Sequence, residues 1–174
     1  ALSDEARQAL PQDRPLRLAL FPTPTWDCAE PEAKTALRAW AALVADRLGA
    51  EVVEPVPPAL LEEAHAVHAV IYNKTLSYYF KEEFKKAELV SPIMNALIED
   101  GMRYSLADYQ AALAKQSVLA QAMDVLLQGC DAAFSLATAG PAPLRELVEA
   151  PDPCLLWTMA YLPVVAAPAF VAAN

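Results

Sequence analysis

Two histidines, His65 and His68, stand three residues apart and follow Glu62 and Glu63. That spacing places two imidazoles on one side of a helix, where they could share a metal ion. A stable site needs further ligands, and neither another His nor a suitably placed Cys pair supplies them, so no metal site is expected. Nucleophilic catalysis would need a serine, cysteine or threonine in a strained, glycine-flanked turn with a base in reach. Ser3, Ser77, Ser91, Ser105, Ser117 and Ser135 all lack glycine neighbours, and Ser105 is accounted for as a helix cap. The carboxylate pairs Glu62/Glu63, Glu82/Glu83 and Glu99/Asp100 are adjacent, so their members point to different helix faces and read as solvated surface. No catalytic residue is therefore expected in this chain. The patch with most binding character is Tyr72, Tyr78, Tyr79 and Phe80, because tyrosines near a helix break can line an apolar pocket while offering hydroxyls. Core packing is the competing explanation for it.

The chain that must position these groups has 174 residues, 56% of them hydrophobic and 20% charged, with a net charge of -9. That is one domain's worth, able to bury roughly two thirds of its unfolded surface. The basic groups closest together are Arg14/Arg17 and Lys81/Lys85/Lys86, too sparse for nucleic acid or an anionic membrane to be a partner. Cys28, Cys130 and Cys154 show no Cys-x-x-Cys spacing and read as buried, reduced thiols of a cytoplasmic protein. The longest apolar run, Leu162 to Ala173, contains Pro163 and Pro168 and is too short to span a bilayer. The N-terminus has neither a signal-peptide pattern nor an initiator Met, so the chain is expected to begin partway through a gene product. Fifteen prolines accompany only four glycines. Glycine loops that cradle a phosphate or an oxyanion need more, and no cofactor is expected.

Leu16 to Phe21 is an apolar run halted by Pro22 and Pro24 and reads as a buried strand. Pro31 opens a helix whose apolar stripe, Ala33, Leu37, Trp40, Ala41, Val44 and Leu48, ends at Gly49. Glu51 to Val56 follows as a second strand, and strand, helix, strand implies a parallel pair. A helix is predicted from about Ala59 to Lys74, then an aromatic junction at Tyr78 to Phe80, then a helix from Ser91 that stops at Gly101. Ser105 with Asp108 forms a capping box for a long helix with the stripe Leu106, Tyr109, Leu113, Ala120, Met123 and Leu127, closed by Gly129. Cys130 to Leu136 reads as a strand, Thr138 to Pro143 as a loop at a carboxyl-end crevice, and Leu162 to Phe170 as a last strand. The expected fold is α/β, a mixed sheet flanked by helices, in one domain over residues 1–174: strand-helix-strand 16–56, a helical segment 57–104, and long helix, strand, loop and strand 105–174.

The run Ile98-Glu99-Asp100-Gly101, the Ser105-Leu106-Ala107-Asp108-Tyr109 helix start, the strand Cys130-Asp131-Ala132-Ala133-Phe134, the Thr138 loop, Trp157 and Leu162-Pro163 follow one another in a known order. In that order and spacing the chain resembles the C-terminal portion of an amidase-signature hydrolase. Two positions depart from the pattern: Ala137 stands where the family has proline, and Tyr161 where it has glycine before Leu-Pro. The resemblance implies part of a serine-dependent hydrolase of small carboxamides, whose lysine and two serines belong to a region absent here. No Gly-Ser-Ser or Ser-Gly-Gly run occurs, so this portion would complete the sheet and pocket and be inactive alone. It also implies substrate contacts from an Asn73 to Tyr79 turn and from the Thr138 loop. The candidates are Asn73, Tyr78, Tyr79, Thr138 and Trp157, facing a small-molecule amide in the intact parent. The alternative is a non-catalytic small-molecule binding or interaction protein with an amidase-like fold. A homo-oligomer is a further expectation, since a sheet face covered in the family would be apolar here.

Overall fold

The computed structural model describes residues 13–144 and 146–169. It is of the α/β class, with a three-stranded parallel sheet flanked by helices. Strand β1 is Arg17–Leu20, helix α1 Pro31–Leu48 and strand β2 Glu51–Val53. Next come α2 (Ala64–Tyr79), the short α3 (Lys81–Phe84), α4 (Pro92–Arg103) and the long α5 (Leu106–Leu126). Strand β3 (Ala132–Phe134) and α6 (Leu155–Met159) complete the described elements.

The sheet order is β2-β1-β3, with Leu18 opposite both Val52 and Ala132. Leu18, Ala19 and Leu20 are buried, as expected for a central parallel strand covered on both faces. Helix α1 begins with Pro31, whose missing N–H costs nothing in a first turn, and ends at Gly49, φ 61°, a left-handed stop that suits glycine. Its inner face brings Leu37 and Ala41 onto Leu20, Ala29 and Leu136, with Trp26, Val52 and Phe134 packed around them. Trp40 meets Phe134 edge-on at 5.2 Å between centroids.

At the opposite end of these strands, Arg14 donates from both guanidinium nitrogens to the Asp131 carboxylate at 2.6 and 2.7 Å. The Arg17 N–H donates to the same group at 2.8 Å. Those donors hold Asp131 well below its ordinary 3.8, at about 2, with the Arg14 hydrogen bond as the largest cause.

The chain divides into two compact units. One comprises Ala1–Pro58, Met123–Cys154 and Pro163–Asn174, and holds the sheet; the other comprises Ala59–Ala122 and Leu155–Leu162, and is helical. In the helical unit α2 packs on α4 and α6, and Leu61, Ile98, Leu119, Leu156 and Met159 are fully buried.

Several expectations are corrected. Among the described residues the strands pair only in parallel, so the sheet there is not mixed. Residues 162–169 form no strand, because Pro163 and Pro168 lack ladder donors; Phe170 lies outside the described residues. Asn73 to Tyr79 is not a turn but the last part of α2, which continues past Lys74 to Tyr79. Gly101 does not stop a helix, since α4 runs through it to Arg103. Cys28 is exposed rather than buried, and all three thiols are free.

Candidate functional site

In an open parallel sheet, ligands bind beyond the carboxyl ends of the strands, where successive connections leave toward opposite sides. Here β1 connects through α1 to β2 on one flank, while β3 lies on the other. The crevice of that kind lies between the loops that leave β1 and β3.

Both loops are tied down by main chain. Phe21 N–H donates to Phe134 C=O at 2.9 Å, and Glu30 N–H to Ala139 C=O at 2.8 Å. A Cβ on Gly140 would sit 2.9 Å from the Glu30 side chain, so the two loops touch closely at that point. Within the first loop, Pro-Thr-Pro-Thr turns sharply: Trp26 N–H reaches Thr23 C=O at 2.8 Å and Cys28 N–H reaches Thr25 C=O at 3.0 Å. The hydroxyls of Thr23 and Thr25, 4% and 6% exposed, lie 3.1 Å apart and share a hydrogen bond. Two cations border the same loop, with Lys34 Nζ 5.8 Å and the Arg38 guanidinium 5.6 Å from the Trp26 ring centre.

The second loop carries Thr138, which is exposed and donates its hydroxyl to Gly140 C=O at 2.9 Å. Behind it, the Cys154 thiol approaches Leu136 C=O at 3.9 Å. Burial, with the Asp152 charge next, pushes that thiol's pKa up and keeps it protonated and a poor nucleophile at neutral pH.

The other four sequence candidates belong to the helical unit. Asn73 is buried, and its side-chain amide donates to Asp100 at 2.8 Å, directly where Gly101 lets the α2 backbone approach α4. Its surroundings are those of a helix-crossing contact. Desolvation, and then the Asp100 charge, raises the pKa of Tyr104 beside it. Trp157 is buried in α6. Tyr78 and Tyr79 are 66% and 70% exposed, meet edge-on at 5.2 Å, and Lys81 Nζ lies 5.4 Å from the Tyr78 ring centre. Of the five, the structure brings Tyr78 and Tyr79 together, and Thr138 stands at the sheet crevice.

Sequence reasoning passed over Thr23 and Thr25. The signal was present: two hydroxyls each preceded by a proline immediately after a buried strand mark a carboxyl-end loop of fixed shape.

No group of three or more His, Cys, Asp or Glu that could hold a metal occurs among the described residues, and no described helix is long and apolar enough to cross a membrane. The serine hydroxyls are largely committed locally: Ser77 to Lys74 C=O, Ser117 to Leu113 C=O, and Ser91 and Ser105 to helix N-termini. Of known proteins, no family model and no curated sequence matches this chain.

Proposed function

We propose that the chain is the C-terminal portion of a serine-dependent amidase that hydrolyses small carboxamides, completing the sheet and one side of the substrate pocket and inactive alone. The observation that carries the reading is Tyr161. This residue stands where the amidase pattern has glycine before Leu-Pro, and its φ is 57°, the one positive value among the described non-glycine residues. A backbone suited to glycine at that position is what the pattern requires. Further support comes from the Ser105–Asp108 capping box, closed by Ser105 N–H to Asp108 at 2.8 Å and Asp108 N–H to Ser105 Oγ at 3.1 Å. Asp131 at the head of β3, clamped by Arg14, agrees with the strand that starts on aspartate.

In this reading water and a carboxamide yield a carboxylate and ammonia. A neutral lysine takes the serine proton through a second serine, and backbone N–H groups hold the oxyanion; all of these groups come from the missing region. The chain contributes pocket wall, with Thr138 on the loop after β3 as the exposed polar candidate of the sheet unit, in a protein that we place in the cytoplasm.

The test is ammonia release from a panel of small primary carboxamides by the polypeptide encoded in the full reading frame. Release is expected, together with an upstream lysine followed by a Gly-Ser-Ser stretch. A reading frame that lacks both, and a protein inert to the whole panel, would leave the non-catalytic binding protein as the better account. Within an active parent, Thr138→Ala is expected to lower kcat/KM; an unchanged value removes Thr138 from the pocket.

A further inference from the structure

We infer that residues 78–90 of the helical unit form a self-complementary contact through which two copies of the chain pair about a two-fold axis. The segment carries six exposed charges, Lys81, Glu82, Glu83, Lys85, Lys86 and Glu88. One ion pair within the chain uses two of them, Lys85 Nζ to Glu82 at 2.7 Å. The other four make no ion pair among the described residues. Their order is antisymmetric about the Phe84–Lys85 bond. Laid antiparallel against a second copy, the segment sets Lys81 opposite the partner's Glu88 and Glu83 opposite the partner's Lys86, and no charge falls opposite a like one. Apolar positions obey the same symmetry, with Phe80 opposite Leu89 and Tyr79 opposite Val90. Self-complementarity of this kind is what an isologous contact requires, since one patch must serve both copies. Like charges in the same places would forbid it.

The surface is built before a partner arrives. Phe84 N–H donates to Phe80 C=O, Lys86 N–H to Glu83 C=O and Leu89 N–H to Lys86 C=O, each at 2.9 Å. The Asn95 side-chain amide donates to Ala87 C=O at 2.8 Å and ties the segment to α4, on which α3 also packs. Little ordering is therefore required on association. Tyr78, Tyr79, Leu89 and Ile93 nevertheless remain exposed on it. The distribution of charge points to the same place. By sequence the helical unit has six basic against eight acidic residues, and the sheet unit seven against 14, so two copies meet least repulsion through the helical unit. At 0.1 M salt the screening length is about 10 Å. That weakens the long-range repulsion of two chains of charge -9 more than it weakens ion pairs in contact. The segment offers about 13 residues a side against the roughly 20–30 of a standard interface, so the dimer is a weak one that forms at high chain concentration. This inference stands apart from the amidase reading, and a protein without hydrolase activity would leave it intact.

Sedimentation equilibrium at pH 7 in 0.15 M sodium chloride, with the chain raised to ~1 mM, provides the test. A monomer–dimer equilibrium is expected. Lys81→Glu/Lys86→Glu and Glu83→Lys/Glu88→Lys each set like charges opposite one another, and each should weaken association at least tenfold. Mixed in equal amounts, the two variants should pair as well as the parent chain, because each then meets its opposite. The second variant also lowers the net charge, so association governed by overall repulsion would strengthen there while the paired contact weakens. A nuclear Overhauser contact between the Phe80 ring of a labelled copy and the Leu89 methyls of an unlabelled one needs no substitution and covers the case of a variant that does not fold. A monomer at every concentration overturns the assignment. So does a Glu83→Lys/Glu88→Lys chain that associates as well as its parent, a mixture that recovers nothing, or an associated sample without the Phe80–Leu89 contact.

Discussion

Tyr161 bears a left-handed backbone, φ 57°, that costs an L-residue with a Cβ roughly 1–2 kcal/mol. Glycine would relieve that strain but add unfolded-state freedom worth about 0.5–1 kcal/mol. The difference favours Tyr161→Gly by up to about 1.5 kcal/mol, and each kcal/mol raises Tm by ~2–4 °C for a chain of this size. A calorimetric scan checks this, and a lower Tm would mean the tyrosine ring makes contacts worth more than the strain. Asp131 makes a different demand, on pH. Its folded pKa of about 2 lies below the ordinary 3.8 because Arg14 and the Arg17 N–H favour the carboxylate. Such a group contributes stability that is present above pH ~4 and lost as pH falls through about 2. The pair is exposed, so salt should weaken it. In urea melts, Asp131→Asn should be less stable than the parent chain at pH 7, and that gap should close between pH 4 and pH 2. A gap independent of pH would show that the clamp acts through shape and not charge.

Elements differ in how plainly the sequence announces them. Helix α1 is legible because each of its signals is local: Pro31 at the start, a 3.6-residue apolar stripe, Gly49 at the end. The Ser105 capping box is legible for the same reason, and Ser105→Ala is expected to lower stability by about 1 kcal/mol. Gly101 misleads because a glycine that ends a helix and one that admits a neighbour look alike in sequence. What distinguishes them is Asn73, 28 positions earlier, whose carbonyl occupies the space a Cβ at position 101 would take. Gly101→Ala therefore forces α2 and α4 apart and should cost ~3 kcal/mol, read as a shifted urea midpoint; a neutral substitution would refute the close crossing. The extension of α2 through Tyr78 and Tyr79 is equally hard to read, since aromatic residues are weak helix formers and both side chains are mostly exposed, leaving no apolar stripe there to announce a helix. Residues 162–169 mislead in the opposite sense. Their apolar, β-branched character suggests a strand, yet two prolines withhold the donors that a ladder needs. The crevice loops differ in the same way: prolines and a glycine announce the Thr138 loop, whereas the burial of Thr23 and Thr25 is not something that alternation in a short strand reveals.

For the whole molecule, charge and exposed apolar surface act against each other. A net charge of -9 and a sequence pI near 4.6 keep copies apart at neutral pH through mutual repulsion. Against this, Tyr78, Tyr79, Leu89 and Ile93 are each at least 66% exposed, all within the helical unit. Scattered apolar residues on a surface are ordinary, but large aromatic and aliphatic groups at this exposure favour association once repulsion is removed. The same unit carries six of the chain's 13 basic residues, Lys74, Lys81, Lys85, Lys86, Arg103 and Lys115, against eight of its 22 acidic ones, so its charge is locally less forbidding than the chain average. Light scattering should accordingly report larger particles as pH approaches 4.6 or as salt rises at pH 7, with Tyr79→Lys and Ile93→Lys together delaying the onset. Both substitutions lie on exposed side chains and leave the buried contacts of α2 and α4 in place, so loss of folding would not account for the delay. If the doubly substituted chain associates at the same pH and salt as its parent, other surfaces drive association, and the oligomer expected of this chain must be sought outside the helical unit.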